Sequence, residues 1–218
     1  MPWRDTYLEC LLDSEARPNN GLCDSCKREN GTFRCLDCFG DTIHCQNCCL
    51  TIHRHQSFHR ILEWSGKYFF KSSLQKLGHI LHLGHRGYPC PNRQYDPNAE
   101  AGANASEDSG DSDSEDAAKD IVVVILHTNG VFHHTVRPCE CTNMKLDIHL
   151  QMLQMGLFCA TISRPSTAFT FDILDYFHID AMECKTAASS FMKKLQRLSN
   201  NAFPDKIPVS LCFLFLFQ

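Results

Sequence analysis

The sequence has no apolar run long enough to cross a bilayer. Its longest, Val-Ser-Leu-Cys-Phe-Leu-Phe-Leu-Phe at residues 209–217, is far shorter than the ~20 residues that a spanning helix needs. The start, Met-Pro-Trp-Arg-Asp-Thr-Tyr, lacks an apolar stretch behind basic residues, which excludes a secretory signal. These absences predict a soluble, intracellular chain with no membrane partner. Positive charge is not in excess either. Lys and Arg number 21 against 25 acids, a net charge of -4, which excludes a globally basic nucleic-acid binder. Cysteine stays below disulfide-scaffold density: 14 residues in 218, against the ~8–10% that marks such scaffolds. Intracellular thiols remain reduced and free to bind metal, and 12 His beside them point the same way. An apolar content of 43% supports a packed core, and the length suits one or two domains.

Charge divides the chain. Residues 93–120 carry nine acids and two bases. Their centre, Glu107-Asp-Ser-Gly-Asp-Ser-Asp-Ser-Glu-Asp116, has no apolar area to offset chain entropy, so an acidic disordered linker is expected over 93–120. Residues 1–92 form an N-terminal region with a Cys/His-dense core at 23–59. A helix is expected at about 64–82, where Phe69, Phe70, Leu74, Leu77 and Leu81 recur at three- and four-residue steps. Beyond the linker, residues 121–204 open on two β-branched runs around Asn129-Gly130. That is a strong hairpin signal, in which both turn positions take positive φ. Helical stripes follow: Met144, Ile148, Met152 and Met155; then Phe169, Ile173, Phe177 and Met182; then Phe191, Leu195 and Leu198, with Lys193, Lys194 and Arg197 on the outer side. Residues 205–218 form an apolar tail unlike what precedes it.

The most specific signal is Cys23-x2-Cys26-x8-Cys35-x2-Cys38-x6-Cys45-x2-Cys48-x4-His53-x5-His59. A Cys-x2-Cys turn is short enough for both sulfurs to face one ion, and eight ligands make two closed tetrahedral zinc sites. A closed site leaves no position for water, which argues against metal catalysis. If pairs alternate, Cys23, Cys26, Cys45 and Cys48 hold one zinc, and Cys35, Cys38, His53 and His59 the other. His55 competes with His53, and Cys49 replaces Cys48 only at the expense of the x2 spacing. The order and spacing are similar to ZZ-type and B-box zinc modules, which are cross-braced and mainly bind proteins. The expected fold is thus a small zinc-stabilised α+β protein, a ZZ/B-box-like cross-brace module followed by a β-hairpin and helices. His85, Cys90, Cys139 and Cys141 are candidates for a further zinc cluster that clips the segments flanking the linker. Buried thiols and surface histidines are the competing reading.

Longer stretches carry a second resemblance. Phe33-Arg-Cys-Leu-Asp-Cys-Phe-Gly-Asp41, Cys45-x2-Cys-Cys-x3-His53, His59-Arg60 and Glu63-Trp64 resemble the front end of fungal KDZ (Kyakuja–Dileera–Zisupton) transposases. So do Leu83-Gly-His85, Cys90-Pro91, Thr128-Asn-Gly130, Cys139-Glu-Cys141 and Arg164-Pro-Ser-Thr-Ala-Phe-Thr-Phe171. The likeness runs from about Trp3 to Pro204. It implies a zinc-chelating cysteine cluster, marks His53 rather than His55, and marks His85, Cys90, Cys139 and Cys141 as pattern positions. One departure is Phe158-Cys159 where the family has Phe-Pro. In the family the chain continues into a transposase core, so this sequence reads as truncated before it.

That resemblance implies a nuclear, non-catalytic targeting region that contacts DNA or a chromatin or transposase protein partner and takes no small-molecule substrate. Lys27, Arg28, Arg34, Arg54 and Arg60 are the candidate phosphate contacts. Asp24, Asp37 and Asp41 are the alternative, an acidic patch for basic peptide tails in a stand-alone adaptor. No acid after the linker sits at the end of a parallel-strand run, so two-metal phosphoryl chemistry is not expected.

Overall fold

The computed structural model describes residues 3–17, 21–92, 120–141 and 146–207. The expected linker, apart from Asp120, lies outside the described residues, as do Met144 and residues 208–218 of the tail. The chain separates into two compact units, Met1–His79 and Ile80–Gln218.

The first unit begins with helix α1 (Arg4–Glu15), none of whose residues is buried. A four-stranded antiparallel sheet follows, in the order β2-β1-β3-β4. Its strands are β1 (Phe33–Cys35), β2 (Ile43–His44), β3 (Ile61–Trp64) and β4 (Phe69–Ser72), and helix α2 (Gln46–Ile52) lies between β2 and β3. All three residues of β1 are buried. Its Phe33 and Cys35 share one apolar cluster with Cys49, Ile61, Leu74 and Leu77.

No helix spans 64–82, contrary to the periodicity. Ser65 Oγ accepts hydrogen bonds from the backbone N–H groups of Lys67 and Tyr68, and Gly66 takes φ +98°. This turn folds β4 back onto β3, with Trp64 opposite Phe69 and their rings 4.9 Å apart. A second left-handed glycine, Gly78 at φ +94°, ends a short turn that buries Leu74 and Leu77. The three- and four-residue steps thus combine residues of a strand, a turn and a further strand. Two positive-φ glycines and a serine turn outweigh a pattern that a helix would also satisfy.

The second unit is built on a five-stranded sheet, order β5-β7-β6-β9-β8. The strands are β5 (Ile80–His82), β6 (Ile121–His127), β7 (Gly130–Arg137), β8 (Leu157–Cys159) and β9 (Thr167–Thr170), with helix α3 (Ile148–Gln154) preceding β8. Strand β5 runs parallel to β7, with Ile80 opposite Thr135. Residues 80–92 therefore belong with the second unit, and the expected boundary after residue 92 moves back to His79. Asp120 is part of the fold as well, because it clasps Arg137 with two carboxylate oxygens.

Helices α4 (Phe171–Cys184) and α5 (Ala188–Ser199) cover this sheet. Leu126, Phe169, Ile173, Phe177, Phe191, Met192 and Leu195 form the shared core. The Thr170 side chain caps α4 by accepting from the N–H of Ile173, and Lys185, in the left-handed region, ends it. The helix expected at 169–182 is thus shifted: Phe169 lies in β9, and Met182 is 59% exposed.

The β6–β7 hairpin forms where expected, but its turn is offset. His127 pairs with Gly130, so Thr128 and Asn129 make the loop, and neither has positive φ. The left-handed residue is Gly130 itself, φ +149°. A Cβ there would lie 2.9 Å from Ser199 Oγ on α5, and Ser199 Oγ accepts from the N–H of Val131. The glycine therefore serves the helix contact as well as the turn. Gly130→Ala should lower the unfolding free energy by about 1–3 kcal/mol, read as an earlier denaturant midpoint. An unchanged midpoint would contradict so close an approach of α5 to β7.

Candidate metal centres

Three groups of four Cys and His side chains converge, with the ligand atoms of each group within 4.8 Å of one another. The first is Cys23, Cys26, Cys45 and Cys48; the second Cys35, Cys38, His53 and His59; the third His85, Cys90, Cys139 and Cys141. Each is assembled by local backbone structure.

In the first group, Cys23 and Cys26 sit on a knuckle closed by bonds from the N–H of Cys23 to the Glu29 carbonyl and of Lys27 to the Cys23 carbonyl. Lys27 takes the left-handed conformation there. Asp24 braces the knuckle by accepting from the N–H of Ile43 and from Lys27, contacts that hold its carboxyl below the ordinary value. Cys45 is the N-cap of α2, and Cys48 lies in its first turn. Burial raises the Cys23 thiol, but the backbone N–H groups of Cys26, Cys45 and Ser25 outweigh it and bring it down to about 5. That favours the thiolate, the form that binds metal, at Cys23, while burial pushes the Cys45 thiol of the same group up.

In the second group, Cys35 Sγ at the end of β1 accepts from the N–H groups of Asp37 and Cys38 at 3.4 and 3.3 Å. His59 Nδ1 lies 3.4 Å from the sulfurs of Cys35 and Cys38, and His53 Nε2 lies 3.5 Å from Cys38. His53 Nδ1 is 2.8 Å from the Cys49 carbonyl. A carbonyl only accepts, so Nδ1 carries the proton and Nε2 presents its lone pair to the sulfurs. This is the usual support for a ligating histidine. His59 is held by its neighbour: Arg60 donates from its backbone and guanidinium to Asp37, at 2.6 Å in each case.

The third group lies where β5 and β7 end side by side. His85 Nε2 is 3.2 Å from both Cys139 and Cys141. Cys90 Sγ is 3.7 Å from Cys139 and 3.6 Å from Cys141. Gly84 makes room, since a Cβ there would approach Cys139 Cβ to 3.1 Å. Burial raises the Cys90 thiol, yet the backbone N–H groups of Glu140 and Asn92 and the neighbouring thiols bring it to about 6.

Donor chemistry and spacing both fit zinc. A tetrahedral ion with Zn–S bonds of ~2.3 Å and Zn–N bonds of ~2.0–2.1 Å separates two sulfurs by roughly 3.8 Å, and a sulfur from a nitrogen by roughly 3.5 Å. Three of the sulfur pairs lie 3.6–3.9 Å apart, several nitrogen–sulfur pairs lie 3.2–3.5 Å apart, and every ligand atom of a group is within 4.8 Å of the others.

The open alternatives take definite places. His55 is exposed and outside the second group. Cys49 is buried in the apolar cluster, where burial pushes its thiol up to about 11. Sequence reasoning missed Gln151, on α3 and 4% exposed. Its amide oxygen accepts from the N–H of Cys139, and its nitrogen donates to the carbonyls of Cys139 and Leu146. A glutamine in an apolar helical stripe was the available signal.

The expected charged surfaces are largely committed internally. Asp24 pairs with Lys27, Asp37 with Arg60, and Asp41 with Arg34. Arg34 is itself buried, beneath Glu15 and against the Phe69 ring. The three candidate acids and three of the five candidate bases, Lys27, Arg34 and Arg60, are thus tied to one another.

With the geometry in place, the sequence comparisons become specific. Residues 105–203 match the family model of a CxC2-like cysteine cluster associated with KDZ transposases. The match spans a little under half of the chain. This CxC2-like segment contains Cys139 and Cys141, while His85 and Cys90 precede it. No curated protein and no solved structure matches the chain. Among the described residues, no helix is long and apolar enough to cross a membrane.

Zinc-loaded protein should carry three ions per chain by elemental analysis, and removing them with a chelator should unfold the first unit, read by loss of near-UV dichroism. Gln151→Leu should weaken the third ion about 10–100-fold in competition with a chromophoric chelator and leave the other two in place. Equal retention of all three would deny Gln151 its orienting role.

Proposed function

We propose that this chain is a non-catalytic, zinc-binding targeting region of a KDZ-type transposase, acting in the nucleus through contacts with DNA or with a chromatin or transposase protein. The observation that carries this reading is the coincidence of the CxC2-like match with three four-ligand Cys/His groups. Cys23, Cys26, Cys45 and Cys48 are read as ligands of one zinc, Cys35, Cys38, His53 and His59 of a second, and His85, Cys90, Cys139 and Cys141 of a third. Zinc supplies folding energy and no chemistry here, because four protein donors leave it no position for water or substrate. The first two groups interleave along the chain, which supports a cross-brace of the ZZ or B-box kind.

A stand-alone adaptor is the second reading. It is favoured by the knuckle of the second group, where Leu36 and Phe39 are exposed, Phe39 completely. An exposed aromatic on a rigid metal loop suits insertion into an apolar pocket. The pairing of Asp24, Asp37 and Asp41 with bases counts against capture of basic tails.

The test is to incubate the zinc-loaded chain with labelled duplex DNA, with and without Mg2+ or Mn2+, and score binding and strand breaks together. Binding without cleavage is expected. Metal-dependent cleavage by pure protein would overturn the non-catalytic reading. Absence of DNA binding, with Phe39→Ala abolishing capture of a protein partner, would favour the adaptor.

A further inference from the structure

The two helices that cover the second sheet carry opposite charge. Helix α4 holds Asp172, Asp175, Asp180 and Glu183 and no Lys or Arg. From its end onward the sign reverses: Lys185, Lys193, Lys194, Arg197 and Lys206 stand against the single acid Asp205 in residues 185–207. The inner face of α5 is committed to the core through Phe191, Met192 and Leu195. Its outer face borders an open groove of about 510 Å³ lined by Ser190, Lys193, Lys194, Arg197, Leu198 and Asn201. Every polar side chain on that lining can donate a hydrogen bond, and none is a carboxylate.

The groove is also rigidly held. Lys194 is fixed by the Tyr176 hydroxyl at 3.1 Å and by Asp180 at 3.7 Å. Arg197 leans on the neutral side-chain oxygen of Asn201 at 3.3 Å. Lys193 is exposed. Behind them, Ser199 ties α5 to β7 through Val131. Lys193 and Arg197, exposed at i and i+4 on one helix, with Lys194 beside them held by Asp180, suit contacts to the charges of a nucleic-acid backbone. Such contacts set register without reading sequence.

We infer that the outer face of α5, through Lys193, Lys194 and Arg197 with Ser190 and Asn201, is a binding surface for the phosphate backbone of duplex DNA. This rests on the DNA-targeting reading and moves the contact from the zinc loops, where Lys27, Arg34 and Arg60 are paired with acids, to the second unit. The acidic α4 confines the attraction to one side of the helix pair.

The experiment uses the full zinc-loaded chain and a labelled 20-base-pair duplex, followed by fluorescence anisotropy between 50 and 200 mM salt. Lys193→Glu/Arg197→Glu is compared with wild type and with Arg28→Ala on the zinc knuckle. All substituted residues are exposed, and far-UV dichroism with zinc content checks that each variant is folded. The double variant should bind at least ten-fold more weakly at 50 mM salt. Lys193→Ala/Arg197→Ala should flatten the dependence of log K on log salt by about 2, close to one unit per lost phosphate contact. Arg28→Ala should bind as wild type does. Equal DNA binding by wild type and the double variant would overturn the α5 assignment and leave the DNA reading standing. No DNA binding by wild type would overturn both. Binding of an acidic peptide in place of DNA, lost in the double variant, would overturn the nucleic-acid assignment and make the groove a protein site.

Discussion

Four soft donors must meet at one point three times in this chain, and the first unit has little else to hold it. Its strands are two to four residues long, and its apolar cluster is small, with two of its buried members being thiols. On the proposed zinc reading, closure of the first two Cys/His groups would add a constraint, because their ligand pairs alternate along the chain. Each group would then fix the segment between the ligands of the other. The second unit differs. Phe169, Phe177, Phe191 and Leu195 give it a continuous core, and its metal group lies at one end of the β5–β7 pair, where it fastens residues 85–90 rather than the whole unit.

The supporting contacts follow the same logic. His53 is oriented by the Cys49 carbonyl, His59 by the Asp37–Arg60 pair beside it, and Cys139 by Gln151. These bonds aim the donors in the folded chain. They also consume charge. Acids and bases that look like surface recognition groups in the first unit turn inward to brace ligand loops. Helix α5 carries Lys193 and Arg197 exposed on a regular helix whose opposite face is anchored in a core. Fold support and partner recognition are thus assigned to different residues, and a change in one need not disturb the other.

The sequence by itself named the candidate ligands and the β6–β7 hairpin. Cys-x2-Cys spacing is local geometry, and a β-branched pair of runs around Asn129-Gly130 has few alternatives. Helix α5 was equally legible, since its apolar stripe and outward bases leave only one face to bury. Other features depended on distant segments. The stripe at 69–81 was compatible with a helix until Gly66 and Gly78 took positive φ and β3 offered β4 an edge to pair with. Strands β5, β8 and β9 are three or four residues long, too short to show a period. Spacing alone leaves His53 and His55 open, the family resemblance marks His53, and the structure adds the contact of its Nδ1 with the Cys49 carbonyl. The roles of Gln151 and Gly84 required β5 to lie against β7. Covalent spacing reaches a few residues along the chain and so names the donors. Only tertiary packing places residues 85–90 beside 139–141, because that proximity comes from strand pairing and not from sequence distance.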